Sequence, residues 1–356
     1  MTRRAFLSLA VAAPALTFDA PPVRLGYDTY SLRSLPWRAL EHLEYAAAQQ
    51  LDMLHISVPR DCEPVSAARL ALIRERAAQH GILLETGLGA LLPQAGASVP
   101  GGVRFLAEGI AWSAALGANV MRTFVSLDRE RLPAGAVDRH IETAVAILRG
   151  VRSQAMDAGV RIAVENHKDL LARELREIFE QAGPDFVGLC LDTGNAPYLA
   201  EDPLDILELL APNVLTTHIR DAVIYPHRRG AAVQWVPVGE GTLDLRRFAA
   251  RFRELCKNGR FCLENITGRP AQIVPYLEEN FWQDKRRASA AEFAAFLRLA
   301  GRGQPYEGRM VMFDAEGYGA PPQPYAEALR HQQREHLERG LEYSRKALGV
   351  GLGRPG

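Results

Sequence analysis

The 356-residue chain lacks the marks of several protein classes. Its four cysteines, Cys62, Cys190, Cys256 and Cys262, form no Cys-x-x-Cys pair. That argues against a disulfide framework and a thiolate-rich zinc cluster. There is no surplus charge, because 42 basic residues balance 42 acidic ones. A protein that binds nucleic acid by neutralising phosphates needs a basic excess, so no nucleic-acid partner is expected. Beyond the N-terminus no run is apolar enough to span a membrane, so stable insertion is not expected. The first strand-like run ends Gly26-Tyr27-Asp28-Thr29-Tyr30. The glycine-rich phosphate fingerprint of a doubly wound dinucleotide fold is missing there. What is present is ordinary: 47% hydrophobic, 24% charged and 8% aromatic residues, enough to bury a large core without staples.

The chain opens Thr2-Arg3-Arg4-Ala5-Phe6-Leu7-Ser8, followed by a short apolar stretch through Leu16. A charged start, a brief apolar run and the small-residue site Ala13-Pro14-Ala15 have the layout of an export signal. The paired arginines before Phe6-Leu7 resemble a twin-arginine signal. Residues 1–20 are therefore expected to be an address, and the protein to be periplasmic or secreted.

From residue 21 a strand–helix rhythm begins. Strands are expected at Arg24–Tyr30, Asp52–Val58, Ile82–Leu88, Asn119–Val125, Val160–Glu165, Phe186–Asp192, Val214–His218 and Phe261–Ile266. Val65–His80 places Leu70, Ile73 and Ala77 on one helical face, and Val137–Ala158 and Leu245–Lys257 behave alike. Gly81, Gly117, Gly159 and Gly259 stand where helices should stop before the next strand. Eight such units over residues 21–283 fit an α/β fold, a (β/α)8 TIM barrel. After residue 283 the rhythm ends. Residues 284–356 are expected to be a mainly helical C-terminal extension, packed on the barrel or on a second subunit in a homo-oligomer.

Barrel enzymes keep their chemistry at the C-terminal ends of the strands. The last four strands each end in a metal-ligand type: Val164-Glu165-Asn166-His167, Leu191-Asp192-Thr193-Gly194-Asn195, Thr217-His218-Ile219-Arg220-Asp221 and Leu263-Glu264-Asn265. Alone, each has a plain alternative. A carboxylate at a strand end often caps a helix or joins an ion pair, and a lone His218 could be a hydrogen-bonded half-buried ring. Four in equivalent places of successive units point to one shared divalent cation. Three carboxylates and an imidazole suit Mn2+, Mg2+ or Co2+, with Zn2+ a further option.

These motifs, with Val236-Pro237-Val238-Gly239-Glu240-Gly241 and Asp244, resemble the xylose isomerase-like TIM-barrel superfamily of sugar isomerases and epimerases over roughly residues 24–270. The resemblance implies that Glu165, Asp192, His218 and Glu264 bind one divalent metal. It implies further that Glu165 and Glu264 are the carboxylates that remove and return a proton on a carbohydrate substrate. The tail lies outside the shared pattern.

A divalent ion on a carbonyl and its neighbouring hydroxyl acidifies the C–H between them. The enediolate can then epimerise or isomerise. With a β leaving group it can instead eliminate, as in a lyase or dehydratase acting on a keto-sugar or 3-keto-glycoside. Ketose epimerases of the family usually carry histidine near Asn195, which weakens the simple epimerase reading. His167 could protonate a leaving group, or orient Glu165. Asn195, Arg122, Arg228, Trp235 and Glu240 are expected to contact substrate, with Arg228 and Trp235 in a lid between strands seven and eight. Lys168 reads as a solvated loop residue. His55 and Glu85 read as barrel-interior groups, and Cys190 and Cys262 as small core residues beneath the metal.

Overall fold

In the computed structural model, residues 23–92, 98–129, 135–313 and 321–352 are described. The expected export signal lies outside them. Eight strands run parallel in chain order: β1 Arg24–Asp28, β2 Met53–Ile56, β3 Leu83–Ala90, β4 Val120–Phe124, β5 Arg161–Glu165, β6 Val187–Asp192, β7 Val214–His218 and β10 Arg260–Leu263. β1 pairs with both β2 and β10, which brings the last strand round to the first. The seam between β7 and β10 is bridged by Ile219 N donating to Cys262 O at 2.7 Å and Glu264 N to Ile219 O at 3.1 Å. The chain is thus a TIM barrel, as the rhythm predicts.

Helices α1 Ala39–Ala48, α2 Ala67–Gln79, α3 Val99–Leu116, α6 Ala172–Ala182, α7 Pro203–Leu210 and α8 Leu245–Leu255 pack outside the strands. Leu70, Ile73 and Ala77 of α2 face the core. Gly81, Gly117, Gly159 and Gly259 all take positive φ. That backbone is cheap only without a Cβ, which is why glycine ends these turns. The single helix expected over Val137–Ala158 is two, α4 Val137–Gly150 and α5 Arg152–Ala158. They break where α3 comes close: a Cβ on Gly150 would stand 2.5 Å from Val103 Cγ2.

One segment departs from expectation. The stretch after β7 is no loose lid. It is a hairpin, β8 Asp221–His227 and β9 Gly230–Val236, extended by β11 Gln272–Val274 into a small antiparallel sheet. The extension expected after residue 283 lies against the barrel. After the short α9 Glu279–Trp282 and α10 Ala290–Ala300, the last helix, α11 Gln323–Lys346, fills the eighth helical place of the ring. It is tied to α1 by Tyr45 Oη to Glu338 Oε1 at 3.1 Å and to α8 by Arg246 Nη1 to Ala347 O at 3.0 Å. Leu337 and Leu341 are fully buried, and a Cβ on Gly340 would stand 3.2 Å from Leu263 of β10. Beyond α11, Leu352 N donates to Asp52 Oδ2 under the barrel. The apolar face of α11 packs on the chain's own barrel. No helix among the described residues is long and apolar enough to cross a membrane.

Inside the barrel, Val120, Ala163, Cys190 and Leu215 make a dry cluster. All four cysteines are free and buried. Burial pushes the Cys190 thiol up to about 12, so it stays protonated and inert, as a core residue should.

Candidate metal centre

Strand alternation decides which side chains meet at the barrel mouth. Glu165, Asp192 and His218 are the last residues of β5, β6 and β7, and Glu264 follows β10 directly. All four are buried. One donor atom from each lies within 4.8 Å of every other. His218 Nδ1 stands 3.0 Å from Glu264 Oε2 and 3.6 Å from Glu165 Oε1. Neither nitrogen of His218 completes a hydrogen bond, although the ring is fully buried. Burial works to lower its pKa, but the carboxylates that hem the ring in hold it well above the usual value, a setting where a cation can take the place of the proton. The donor set of three carboxylates and one imidazole fits a divalent cation, so these residues suit the group the motifs imply.

The supporting shell is dense. Asp192 Oδ1 accepts from Gly194 N at 2.7 Å and Asn195 N at 2.9 Å. Asn195 Nδ2 reaches both Glu165 Oε1 at 3.0 Å and Asp192 Oδ2 at 2.9 Å. Asn166 clamps the Asp192 backbone through two bonds of 2.7 and 2.8 Å. Arg122 Nε donates to Glu165 Oε2 at 2.5 Å. Arg220 Nε lies 3.1 Å from Asp192 Oδ2 and 3.0 Å from Glu264 Oε2. Burial works to raise the Glu165 carboxyl, but Arg122 and His218 hold it well below its usual range. For Asp192 burial wins: its pKa stands well above the usual value, Arg220 opposing while Glu165 and Glu264 add to the rise. Four such groups can sit together unloaded only by sharing protons or arginines, and a divalent ion offers another way.

A cavity of about 630 Å3 opens above these ligands, lined among others by Arg122, His167, Lys168, Arg220, Trp235 and Glu264. His167 Nδ1 donates to Leu127 O at 2.7 Å, and its ring stacks on Phe124 with centroids 4.4 Å apart. Because a carbonyl only accepts, the proton sits on Nδ1 and Nε2 is bare. Burial pushes His167 down to about 4. At neutral pH it is thus a base or an acceptor, not the ready acid its sequence position suggested.

The expected substrate contacts divide. Arg122 and Trp235 line the cavity, and Trp235 Nε1 is anchored on Gly194 O at 2.8 Å. Asn195 is buried behind the ligands and holds them instead. Arg228 is exposed at the hairpin tip, and Glu240 pairs with Arg339 at 2.8 Å and with Tyr306; neither lines the cavity. Lys168 is no solvated loop residue: its ammonium pairs with Asp128 at 2.8 Å in the cavity wall. His55 and Glu85 are interior, as expected. His55 Nδ1 stands 3.3 Å from Glu85 Oε2, and Glu85 binds Arg260 and Thr216, each at 2.7 Å. Asp28 escaped the sequence reading. Its Oδ2 lies 3.3 Å from His218 Nε2 and 3.6 Å from His55 Nε2. It too is a charged residue closing an apolar strand, which was the available signal. Arg220, inside the quoted Thr217–Asp221 motif, was the other omission.

The model of the xylose isomerase-like TIM barrel family matches residues 40–298. The chain belongs to that family. A relative, the 3-oxo-isoapionate decarboxylase of Pectobacterium atrosepticum, is 25% identical over 207 residues, covering 55% of this chain and 68% of that protein. The chain spans between 29% and 68% of the length of the curated relatives it matches. Among solved structures, a D-psicose 3-epimerase with D-fructose superposes with a TM-score of 0.60 at 18% identity, over 92% of this chain and 99% of that one. The IolI protein, solved with a zinc atom, superposes with a TM-score of 0.55 at 16% identity, over 78% of this chain and 96% of that one. At such identities the two structures establish the shared barrel.

Proposed function

We propose that this member of the family is a divalent-metal-dependent enzyme that enolises a keto-sugar, with epimerisation or isomerisation as the outcome. The observation that carries the reading is the Glu165–Asp192–His218–Glu264 cluster, with one donor atom from each within 4.8 Å of every other and Glu264 reaching the cavity. When bound, the cation would act as a Lewis acid on a carbonyl and its neighbouring hydroxyl. The chain's own residues do the rest. Asn195 and Asn166 fix the carboxylates, so the reacting end of the substrate finds a preorganised floor. Arg122 and Arg220 keep Glu165 and Glu264 ionised, which suits them to hold a cation. Glu264 reaches the cavity surface, which makes it the carboxylate nearest the substrate's C–H.

A second reading is a lyase that lets the same enolate expel a leaving group or arise by loss of a carboxylate. One observation favours it. The curated relative matched over 207 residues is named a decarboxylase. Proton NMR in D2O on the Mg2+-loaded protein separates the two, given ketohexoses and 3-keto-glycosides. Deuterium entering beside the carbonyl with all hydroxyls retained supports the epimerase or isomerase. Loss of water or aglycone supports the lyase. An absence of exchange in a protein with full metal content would overturn both.

Residues 2–16 support export by a twin-arginine route. Recovery of the protein from the cytoplasm with Met1 intact would overturn that.

A further inference from the structure

The charged side chains in the wall beside the candidate metal site are mostly hydrogen-bond donors, set among the apolar Val58, Leu88, Phe124, Leu127 and Ile266 and the acceptor Nε2 of His167. Arg122, Lys168, Arg220 and Arg269 line it, against the two carboxylates Asp128 and Glu264. Asp128 is engaged by Lys168 at 2.8 Å, and Glu264 by Arg220 and His218. No asparagine or glutamine lines the cavity; Tyr30 and Ser57 supply its hydroxyls. Guanidinium and ammonium groups can donate but cannot accept. Each hydroxyl of a neutral sugar donates as well as accepts, and a buried donor left without an acceptor costs about 1–3 kcal/mol. A donor-rich wall therefore suits a ligand rich in acceptors.

Charge points the same way. Three cations gather about one indole: the Arg220 guanidinium carbon lies 4.7 Å, that of Arg269 5.7 Å and Lys168 Nζ 5.9 Å from the Trp235 ring. Lys168 already pairs with Asp128, and Arg220 with Glu264 and Asp192, and the indole face shares in balancing the group. A divalent cation on the floor would make the enclosure more positive still. In a water-poor cleft such a field selects by charge.

We propose that the cavity takes a sugar acid. Its carboxylate lies against Arg269 and Lys168 beside Trp235, while its keto end reaches the Glu165–Asp192–His218–Glu264 floor. The planar fork of Arg269 matches a carboxylate's two oxygens. The Lys168 ammonium has three donors, so it can hold the ligand without releasing Asp128. The keto end of this placement rests on the enolising reading above, whereas the anion contacts do not require turnover.

The matched probes are D-fructuronate and D-fructose, which differ only in a carboxylate or hydroxymethyl at C6, remote from the C2 carbonyl. Binding of each is measured by calorimetry on the full chain, loaded with Mg2+ and again after metal removal. The acid should bind about tenfold more tightly in both states. Arg269→Gln combined with Lys168→Gln should shrink that advantage below about threefold, with metal content unchanged. Equal affinities overturn the proposal. So does an advantage that survives the double substitution, and so does one that vanishes with the metal, which would place the carboxylate on the ion. Deuterium exchange is scored separately. A preference for the acid without exchange sinks the enolising reading and keeps this one, and exchange without preference does the reverse.

Discussion

The two halves of the barrel share one rhythm and divide the labour. β5, β6, β7 and β10 end in Glu165, Asp192, His218 and Glu264, which meet at one point. β1 to β4 contribute no residue to that set. They supply what surrounds it: Asp28 against His218, His55 against Asp28, Glu85 against His55, and Arg122 against Glu165. In the second half a residue at or just past each strand's end faces the common centre. In the first half only Asp28 closes its strand; His55, Glu85 and Arg122 lie within theirs and brace neighbours. Metal-ligating histidines commonly donate their other nitrogen to a carboxylate, and Asp28 is placed for that task.

The comparison breaks most severely in the second half. Glu264→Gln or Asp192→Asn should abolish turnover, with a loss of at least about a thousandfold, and strip bound metal while the far-ultraviolet spectrum stays native. Full activity and metal content in both variants would remove the assignment. Asp28→Asn tests the bracing half. Metal affinity should fall roughly 10–100-fold, because His218 loses the partner that orients it. An unchanged affinity would make Asp28 a bystander.

The next effect concerns stability and lies away from the site. Burial pushes His42 and His336 down to about 4, against about 6.5 in an unfolded chain. A folded pKa below the unfolded one means the native state prefers the neutral ring. That contribution is present above pH about 6.5 and is lost as pH falls toward 4. His336→Gln should therefore lose less melting temperature than the wild type over that window; parallel pH profiles for the two proteins would refute it. Burial raises Asp221 to about 7 and Glu201 to about 8, which acts in the opposite sense as pH rises, so the difference between the two proteins is the informative quantity. The smallest effect is expected outside the cavity. Arg228→Ala and Glu240→Gln should change KM by less than about twofold, since an exposed pair such as Glu240–Arg339 contributes ~0–1 kcal/mol. A tenfold change in steady-state KM would return them to the site.

Much of this architecture was legible before any coordinates. A parallel strand with both faces covered must be apolar along its length, so a charge at its end stands out. Val164-Glu165, Leu191-Asp192, Thr217-His218 and Leu263-Glu264 show this directly. Asp28 obeys the same rule, yet it sits in no recurring set and passed unnoticed. The place of α11 was not legible, because some sixty residues separate Leu263 from Gln323 and the rhythm expects a short crossover. Lys168 reads as solvated in the sequence because it lies past the end of β5. Its neighbours in space are Asp128, Tyr198 and Trp235.

Periodicity and strand-end chemistry, both local, determined the barrel and picked out the four residues that the structure clusters at its mouth. Only the tertiary structure decided what those residues face. Asn195 turns back to hold carboxylates instead of facing the cavity, Arg228 is exposed at the hairpin tip, and four cations from separate segments line one cavity. The physical reason is range. A strand's two-residue alternation dictates which side chains enter the barrel. Which of them meet depends on register, closure and packing between segments up to 300 residues apart, as in the bond from Leu352 to Asp52.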